Sequence, residues 1–397
     1  MLQFISHIHP ARISAEQKRA PIRIFVDAHL FDKEYQGART FIRQMYTHLI
    51  QKENLLLYFG AYDTDHLRSV FGEHERIVYL QYRSRSPLLR LCFDIPRLIK
   101  KHKIDYAHFQ YLAPLIKNCR QIVTLHDALF MDYPQEFPFF YSWTRKHLFR
   151  RSARRAEILT TASRYSQASI QNSFQLREGR TKIIHNGISS SFFETYDRDQ
   201  AKEETRKKYG FEKIILYVSR IEPRKNHLLL IRSFLDLKLH EKGCMLLLIG
   251  HTSIPVKTLD KYLQSLDRNS RKSIVFMQNV SDEELIQLYR SAEVFVYPSL
   301  AEGFGIPPLE AAASRIPVLC SDATAMKSYS FFGEGHVDPN NEEAFKKSLQ
   351  RIVERKRDEE ELSRISRQVE LQYSWNRSAE ELYQLIMQDS FIQYPTS

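Results

Sequence analysis

The chain has 397 residues, too many for one ordinary hydrophobic core and enough for two units of roughly 180 residues each. Hydrophobic residues make up 43% and charged residues 26%, as in soluble globular proteins, and no run approaches the roughly 18 apolar residues of a membrane-spanning helix. The net charge of +11 sits in the first half: residues 1–200 hold 30 Lys and Arg against 19 Asp and Glu, while residues 201–397 hold 28 of each sign. A one-sided basic surface suits an anionic partner, whether nucleic acid, acidic lipid or a phosphorylated acceptor, or it simply aids solubility.

Residues 1–20 mix His, Arg, Glu and Lys and lack the apolar core of a secretory signal, so the chain is expected to stay in the cytoplasm. Cys92, Cys119, Cys244 and Cys320 stand far apart without a CxxC pair, which predicts buried free thiols and no metal site. Short β-rich runs then alternate with helical patterns. Strands are expected at 22–27, 55–60, 77–80, 106–109, 122–125 and 158–161, and again at 214–218, 245–249, 274–276, 294–297 and 318–321. Such alternation predicts an α/β protein of two doubly wound, Rossmann-like domains. After the turn at Asn186-Gly187, the polar residues 194–208 read as the linker between them. Parallel sheets bind ligands beyond the C-terminal ends of their strands, so the cleft between the two domains is the expected site.

The most informative stretch is residues 294–310. A strand ends near Tyr297, a loop carries Glu302, Gly303, Phe304 and Gly305, and Pro307 or Pro308 can open a helix behind Ile306. Glycines let backbone amides approach a ligand, and the helix start adds free N–H groups and a positive dipole. Glu302 and Glu310 lie on either side of that anion site, where carboxylates suit sugar and ribose hydroxyls. Taken alone, the spacing also fits a capped helix with a dipole-favoured glutamate. A second stretch, residues 217–228, follows another strand and carries Ser219, Arg220 and Lys225, cations able to reach a diphosphate.

The Glu, seven residues, Glu pattern from Glu302 to Glu310 resembles the hallmark of the retaining GT-B glycosyltransferases of family 4. That resemblance implies that Glu302 holds hydroxyls of the transferred sugar, that Phe304, Gly305 and Ile306 supply main-chain contacts beside Gly303, and that Glu310 holds the donor ribose. It implies that Ser219, Arg220 and Lys225 face the leaving nucleoside diphosphate, and that Asn279 and Val280 read the donor base. In the first half, Gly37-Ala38-Arg39-Thr40 resembles the family's phosphate-facing glycine loop, and His126 resembles a catalytic histidine at the acceptor side. Residues 161–166 and 185–187 resemble structural landmarks, and 373–375 the point where the chain leaves the second domain. The implied layout is an extension at 1–20, an acceptor-side domain at 21–195 completed by a helix at 376–397, and a donor domain at 205–375. Arg315 stands where the family usually has a helix-ending glycine, which predicts another stop or local strain.

The resulting expectation is a metal-independent retaining hexosyltransferase that needs no cofactor, its GDP- or UDP-sugar donor being a substrate. Retention needs either a carboxylate nucleophile or attack from the leaving-group side, and the motifs offer no obvious nucleophile. The expected acceptor is a glycan or a lipid-linked acceptor in polysaccharide or lipopolysaccharide synthesis. Residues 83–103 and 139–155 mix cations with large apolar side chains and make an anionic membrane surface a candidate partner, with the protein peripheral on its inner face. Three rivals carry less. Asp63-Thr-Asp65 fits a metal-binding Asp-x-Asp but also an ordinary surface turn. A nucleotide-sugar epimerase would not need a basic first domain. A nucleic-acid-binding protein lacks any zinc-finger, RNP or helix-turn-helix signature, so no nucleic acid is expected.

Overall fold

In the computed structural model the described residues are 20–32, 37–136 and 139–393; residues 1–19 of the extension and the last four of the C-terminal segment lie outside them. The first sheet holds β1 (Ile22–Asp27), β2 (Leu55–Ala61), β3 (Ile77–Gln81), β4 (Tyr106–Gln110), β5 (Arg120–Thr124), β6 (Ile158–Thr161) and β7 (Thr181–Ile183), in the order β3-β2-β1-β4-β5-β6-β7. The second holds β8 (Lys213–Val218), β9 (Cys244–Ile249), β10 (Ile274–Met277), β11 (Val294–Tyr297), β12 (Val318–Ser321) and β13 (His336–Val337), in the order β10-β9-β8-β11-β12-β13. Neighbouring strands pair in parallel. Central strands such as β4 and β11 are buried along their whole length because helices cover both faces; β11 reads as a continuous apolar run, whereas β4 also buries His108 and Gln110. The two sheets are Rossmann-like, as expected. β7 and β13, at three and two residues, are too short to leave a periodic signal.

Helix α1 (Gly37–Leu49) buries Phe41, Ile42, Met45, Tyr46 and Leu49, a one-sided stripe that covers the first sheet. Helix α2 (Thr64–Phe71) starts on Asp63, whose carboxylate accepts the His66 N–H. Further on come α3 (Phe139–Arg155) and α4 (Arg164–Phe174), the latter capped by Ser163. The stretch expected as a linker is mostly helical. α5 (Arg198–Tyr209) is capped by Asp197 and closed by Gly210 at φ 76°, and it docks on α7 (Asp282–Ser291) of the second domain, where Gln287 donates to the Ala201 carbonyl at 3.0 Å. The helix is hidden in the sequence for a physical reason, since α5 buries only Ala201 and Thr205 and so shows almost no apolar stripe. Between α5 and α7 lies α6 (His227–Asp236).

Helix α8 (Ile306–Ala313) ends on Arg315, which takes the left-handed conformation at φ 56°. Its N–H bonds the Ala312 carbonyl and that of Ile316 bonds Ala311, the Schellman pattern that usually selects glycine. The guanidinium offsets the strain by donating to the Glu194 carbonyl at 3.1 Å and lying 5.1 Å over the Tyr196 ring. The chain then returns to the first domain. In α9 (Trp375–Gln393), Trp375, Ala379, Leu382 and Ile386 recur at helical spacing and join the core beneath α1, while Tyr106 donates to Asp389 at 2.7 Å. At the crossing, a Cβ on Gly187 would lie 2.3 Å from the Trp375 nitrogen, so only glycine fits. Of the four cysteines, Cys244 and Cys320 are buried as expected, whereas Cys92 and Cys119 are partly exposed; all four are free thiols.

Candidate active site

In the second sheet the strand order reverses between β8 and β11, and the crevice beyond such a switch point is where open α/β sheets bind ligands. Both motif stretches emerge there. The loop after β8 brings Glu222, Arg224 and Lys225, and the loop after β11 brings Ser299 and Glu302. Leu300 donates its N–H to the Arg224 carbonyl at 2.8 Å, which stitches the loops together, and the Tyr217 hydroxyl holds the Lys225 carbonyl at 2.6 Å.

Glu302 is 7% exposed and its two oxygens are unequally engaged. One oxygen accepts from Ser299 at 2.7 Å and Tyr297 at 3.0 Å and contacts the Lys225 ammonium; the other accepts from Arg224 at 3.1 Å. Burial works against its ionisation, but Lys225 and Arg224 outweigh it and hold the carboxyl down at about 2. Burial likewise pushes the Lys225 ammonium down, with Glu302 pulling the other way. Arg224 also reaches Glu222 at 2.5 Å. The cluster therefore has two cations and two carboxylates that largely neutralise each other. Arg220 stands apart, exposed on the same loop with no acidic partner among the described residues. Lys225 is thus engaged with Glu302, and the unmatched positive charge of this loop belongs to Arg220.

The residues after Glu302 divide their work. Gly303 turns its carbonyl to the first domain, where Ser163 and Ser166 at the start of α4 donate to it at 2.6 and 2.9 Å. The carbonyls of Phe304 and Gly305 accept from Tyr329, and Gly305 sits at φ 89°, ahead of α8. The N–H groups of Phe304, Gly305 and Ile306 have no protein acceptor among the described residues, so the start of α8 presents free donors as the motif implies. One turn on, Glu310 accepts from the Tyr289 hydroxyl at 3.0 Å; burial pushes its carboxyl up to about 7, against that hydrogen bond and with help from Asp282. Asn279, left-handed at φ 56° and exposed, and the half-buried Val280 precede Ser281, the cap of α7. Ser219 is half-buried, 3.4 Å from His227.

Across the cleft, His126 follows β5 and is partly exposed; its Nε2 lies 2.7 Å from Gln110 Oε1, and burial pushes the imidazole down to about 4. It is therefore neutral near pH 7. Asp127 packs closely on the Gly303 loop: a Cβ on Gly303 would lie 2.5 Å from its Cβ. Gly37 is the exposed first residue of α1, with open space around it; it begins a helix where a loop was expected, and the preceding residues 33–36 lie outside the described residues. Arg43 of α1 pairs with Asp282 of α7 at 3.5 Å, a second contact between the domains. Asp63 and Asp65 do not face this cleft chemistry. The first caps α2 and the second pairs with Arg68 at 2.9 Å, which corresponds to the surface-turn reading.

Two family models match the chain, Glycosyltransferase Family 4 over residues 35–192 and Glycosyl transferases group 1 over residues 199–369. The chain belongs to the GT-B glycosyltransferases of family 4. It is 29% identical over 244 residues to the O-antigen chain mannosyltransferase RfbU of Salmonella typhimurium, a match covering 61% of this chain and 63% of that protein. It is 27% identical over 307 residues to the O-antigen chain mannosyltransferase B of Escherichia coli, covering 74% and 79%. The Anabaena Alr3699/HepE structure in complex with UDP-glucose superposes with a TM-score of 0.70 at 18% identity, covering 92% of this chain and 99% of that one, which shows the shared fold. In this glycosyltransferase the sequence pattern picked out Glu302, Glu310 and Lys225 but missed Arg224, Glu222 and Asp127. Arg224 and Asp127 each adjoin a residue that was singled out, yet only the folded chain shows that they meet Glu302 and Gly303.

Proposed function

We propose that the protein transfers a hexose, in the first instance mannose, from a nucleoside-diphosphate sugar to a glycan or lipid-linked acceptor of a cell-surface polysaccharide. The observation that carries this reading is the Glu302–Lys225–Arg224 cluster at the switch point, facing His126 and Asp127 across the cleft. Glu302 is ionised and fixed, fit to accept hydroxyls of the donor sugar. Arg220 and the free N–H groups at the start of α8 would receive the diphosphate, and Glu310 with the segment at Asn279 and Val280 would take the nucleoside. The O-antigen mannosyltransferases supply the sugar and the pathway class, and the UDP-glucose complex of the fold neighbour supports a nucleotide-sugar donor.

The reaction follows from these groups. As the bond from the anomeric carbon to the diphosphate breaks, negative charge grows on the leaving oxygen, where preorganised donors contribute roughly 3 kcal/mol each. The acceptor hydroxyl attacks from the same face and passes its proton to the departing phosphate, which gives retention. No divalent metal or cofactor is required, because Arg220 and backbone amides meet the diphosphate charge. Activity should persist in EDTA, and the product linkage read by NMR should be α from an α-linked donor. A thermal-shift panel should show stabilisation by GDP-mannose or UDP-glucose and none by the free sugars; stabilisation by neither nucleotide sugar would overturn the reading.

The acceptor would be met at a membrane. Leu88, Leu89, Phe93, Leu115 and Ile116 are exposed on the first domain, in or near the segment 87–101, whose middle, Arg90–Asp94, is a π-helical turn. Asn118 donates to the Pro96 carbonyl at 3.3 Å and ties the two segments to each other, and Arg97, Lys100 and Lys101 of the first are exposed. No helix of the described residues is long and apolar enough to cross a membrane. An anionic leaflet fits this face, each cation contributing about 1 kcal/mol. Sedimentation with anionic but not neutral liposomes, weakening with salt, is the expected result; equal binding to both would exclude it.

A further inference from the structure

Behind His126 lies a chain of buried polar side chains for which neither the sugar chemistry nor the packing accounts. The Tyr46 hydroxyl is 2.7 Å from His108 Nδ1; His108 Nε2 is 2.8 Å from Thr124 Oγ1 and 3.4 Å from Gln110 Nε2; Gln110 Oε1 is 2.7 Å from His126 Nε2. Tyr46, His108, Gln110 and Thr124 are all buried. Apolar side chains of similar size would fill this space without the desolvation cost of four polar groups, so their hydrogen bonds need a purpose.

We propose that Gln110 is a positioning residue that holds His126 as the neutral tautomer with hydrogen on Nε2, leaving the Nδ1 lone pair free to accept a hydrogen bond from a substrate hydroxyl. An amide has one end that only accepts and one that only donates. The 2.7 Å contact to His126 is the length of an N–H to carbonyl bond and short for an amide N–H to an imidazole nitrogen, while the contact to His108 is a longer, weaker 3.4 Å. Gln110 therefore turns its carbonyl to His126 and its amide to His108, and His108 completes the order by donating from Nδ1 to the Tyr46 hydroxyl. His126 Nδ1 has no partner among the described residues and the ring is partly exposed to the cleft.

The surroundings keep the ring uncharged. Phe41 of α1 meets it edge-on at 5.0 Å and Tyr111 lies 5.6 Å away. The ionisable neighbours are His108 from β4, itself pushed down to about 3 by burial and by His126, with Tyr46 behind it, and Asp127, whose carboxylate receives the Leu129 N–H at 3.2 Å. A protonated His126 would have no lone pair to offer, so the neutral state and the tautomer serve the same end.

The inference rests on the glycosyltransferase reading above, and two experiments separate their failures. In the full-length protein labelled with 15N-histidine, His126 should show the Nε2–H tautomer throughout the neutral range; an Nδ1–H tautomer, which a reversed Gln110 amide would produce, overturns the proposal without any variant having to fold. In kinetics, Gln110→Glu places a carboxylate against Nε2–H and favours the imidazolium, so turnover should gain a loss at acidic pH that recovers on the alkaline side. Gln110→Leu should lower turnover roughly 10- to 100-fold with donor KM little changed and no new pH limb. A Gln110→Glu profile identical to that of the unmodified protein would overturn the positioning role. If His126→Ala transfers sugar at the normal rate, the site reading itself falls; if His126→Ala is inactive while both Gln110 variants behave normally, only the role of Gln110 falls.

Discussion

Glu302 shows how a single buried carboxylate can serve both stability and chemistry. Removing it strands the Lys225 ammonium, itself only 6% exposed, without its counter-charge. Breaking one side of a buried ion pair costs about 3 to 5 kcal/mol. Glu302→Ala should therefore lower the melting temperature as well as turnover. The double variant Glu302→Gln with Lys225→Met removes both charges and should regain much of the stability while staying inactive, an outcome that melting curves and initial rates will separate. Glu310 presents the opposite case. Its carboxyl ionises near 4.5 in the unfolded chain and near 7 in the fold, so the folded state holds an extra proton between those values and stability falls as pH rises through that window. Donor binding should move the other way, since ribose hydroxyls need the carboxylate as acceptor. Donor affinity should rise roughly tenfold from about pH 6 to about pH 8, and Glu310→Gln should flatten the dependence, as isothermal titration would register. Both glutamates were legible in the sequence because their spacing around a glycine-rich helix start carries the pattern. Their contrasting ionisation was not, because it depends on Lys225 and Arg224 in one case and on burial, with Asp282 nearby, in the other.

At the level of elements, alternation of apolar runs marked the eleven longer strands of the two sheets, and the two that escaped were too short to alternate. The polar helix α5 reads as a linker in the sequence because its contacts with α7 include hydrogen bonds and ion pairs, which leave no periodic trace. The end of α8 is more instructive. A left-handed non-glycine residue costs about 1 to 2 kcal/mol, and here the hydrogen bond to Glu194 and the stacking on Tyr196 offset it. Arg315→Gly should accordingly leave the melting temperature nearly unchanged. Arg315→Val keeps the strain, adds β-branching and loses both contacts; a loss of about 2 kcal/mol in chemical denaturation is expected.

Across the whole molecule, the two domains touch where a carbonyl and a missing side chain leave room. A methyl on Gly303 would press on the Cβ of Asp127, an atom fixed to the backbone and unable to swing aside. Gly303→Ala should spread the cleft and reduce kcat/KM by on the order of 100-fold, while each sheet retains its own core and the melting temperature stays close to that of the unmodified protein. Gly187→Ala places its methyl against Trp375 at the crossing and should act on stability instead, by about 2 to 3 kcal/mol.

The return of the chain to its starting domain also sets an order of events during synthesis. The face of α1 that carries Phe41, Met45 and Tyr46 shares its core with Trp375, Leu382 and Ile386, which leave the ribosome about 330 residues later. At roughly 5 to 20 residues per second, the first sheet waits on the order of 20 to 60 seconds with that apolar seam uncovered, while the second domain can close as soon as its own strands are complete. The half of the enzyme made first is thus the last to finish folding. Chains halted just before Trp375 should bind trigger-type chaperones and resist protease only over the second domain.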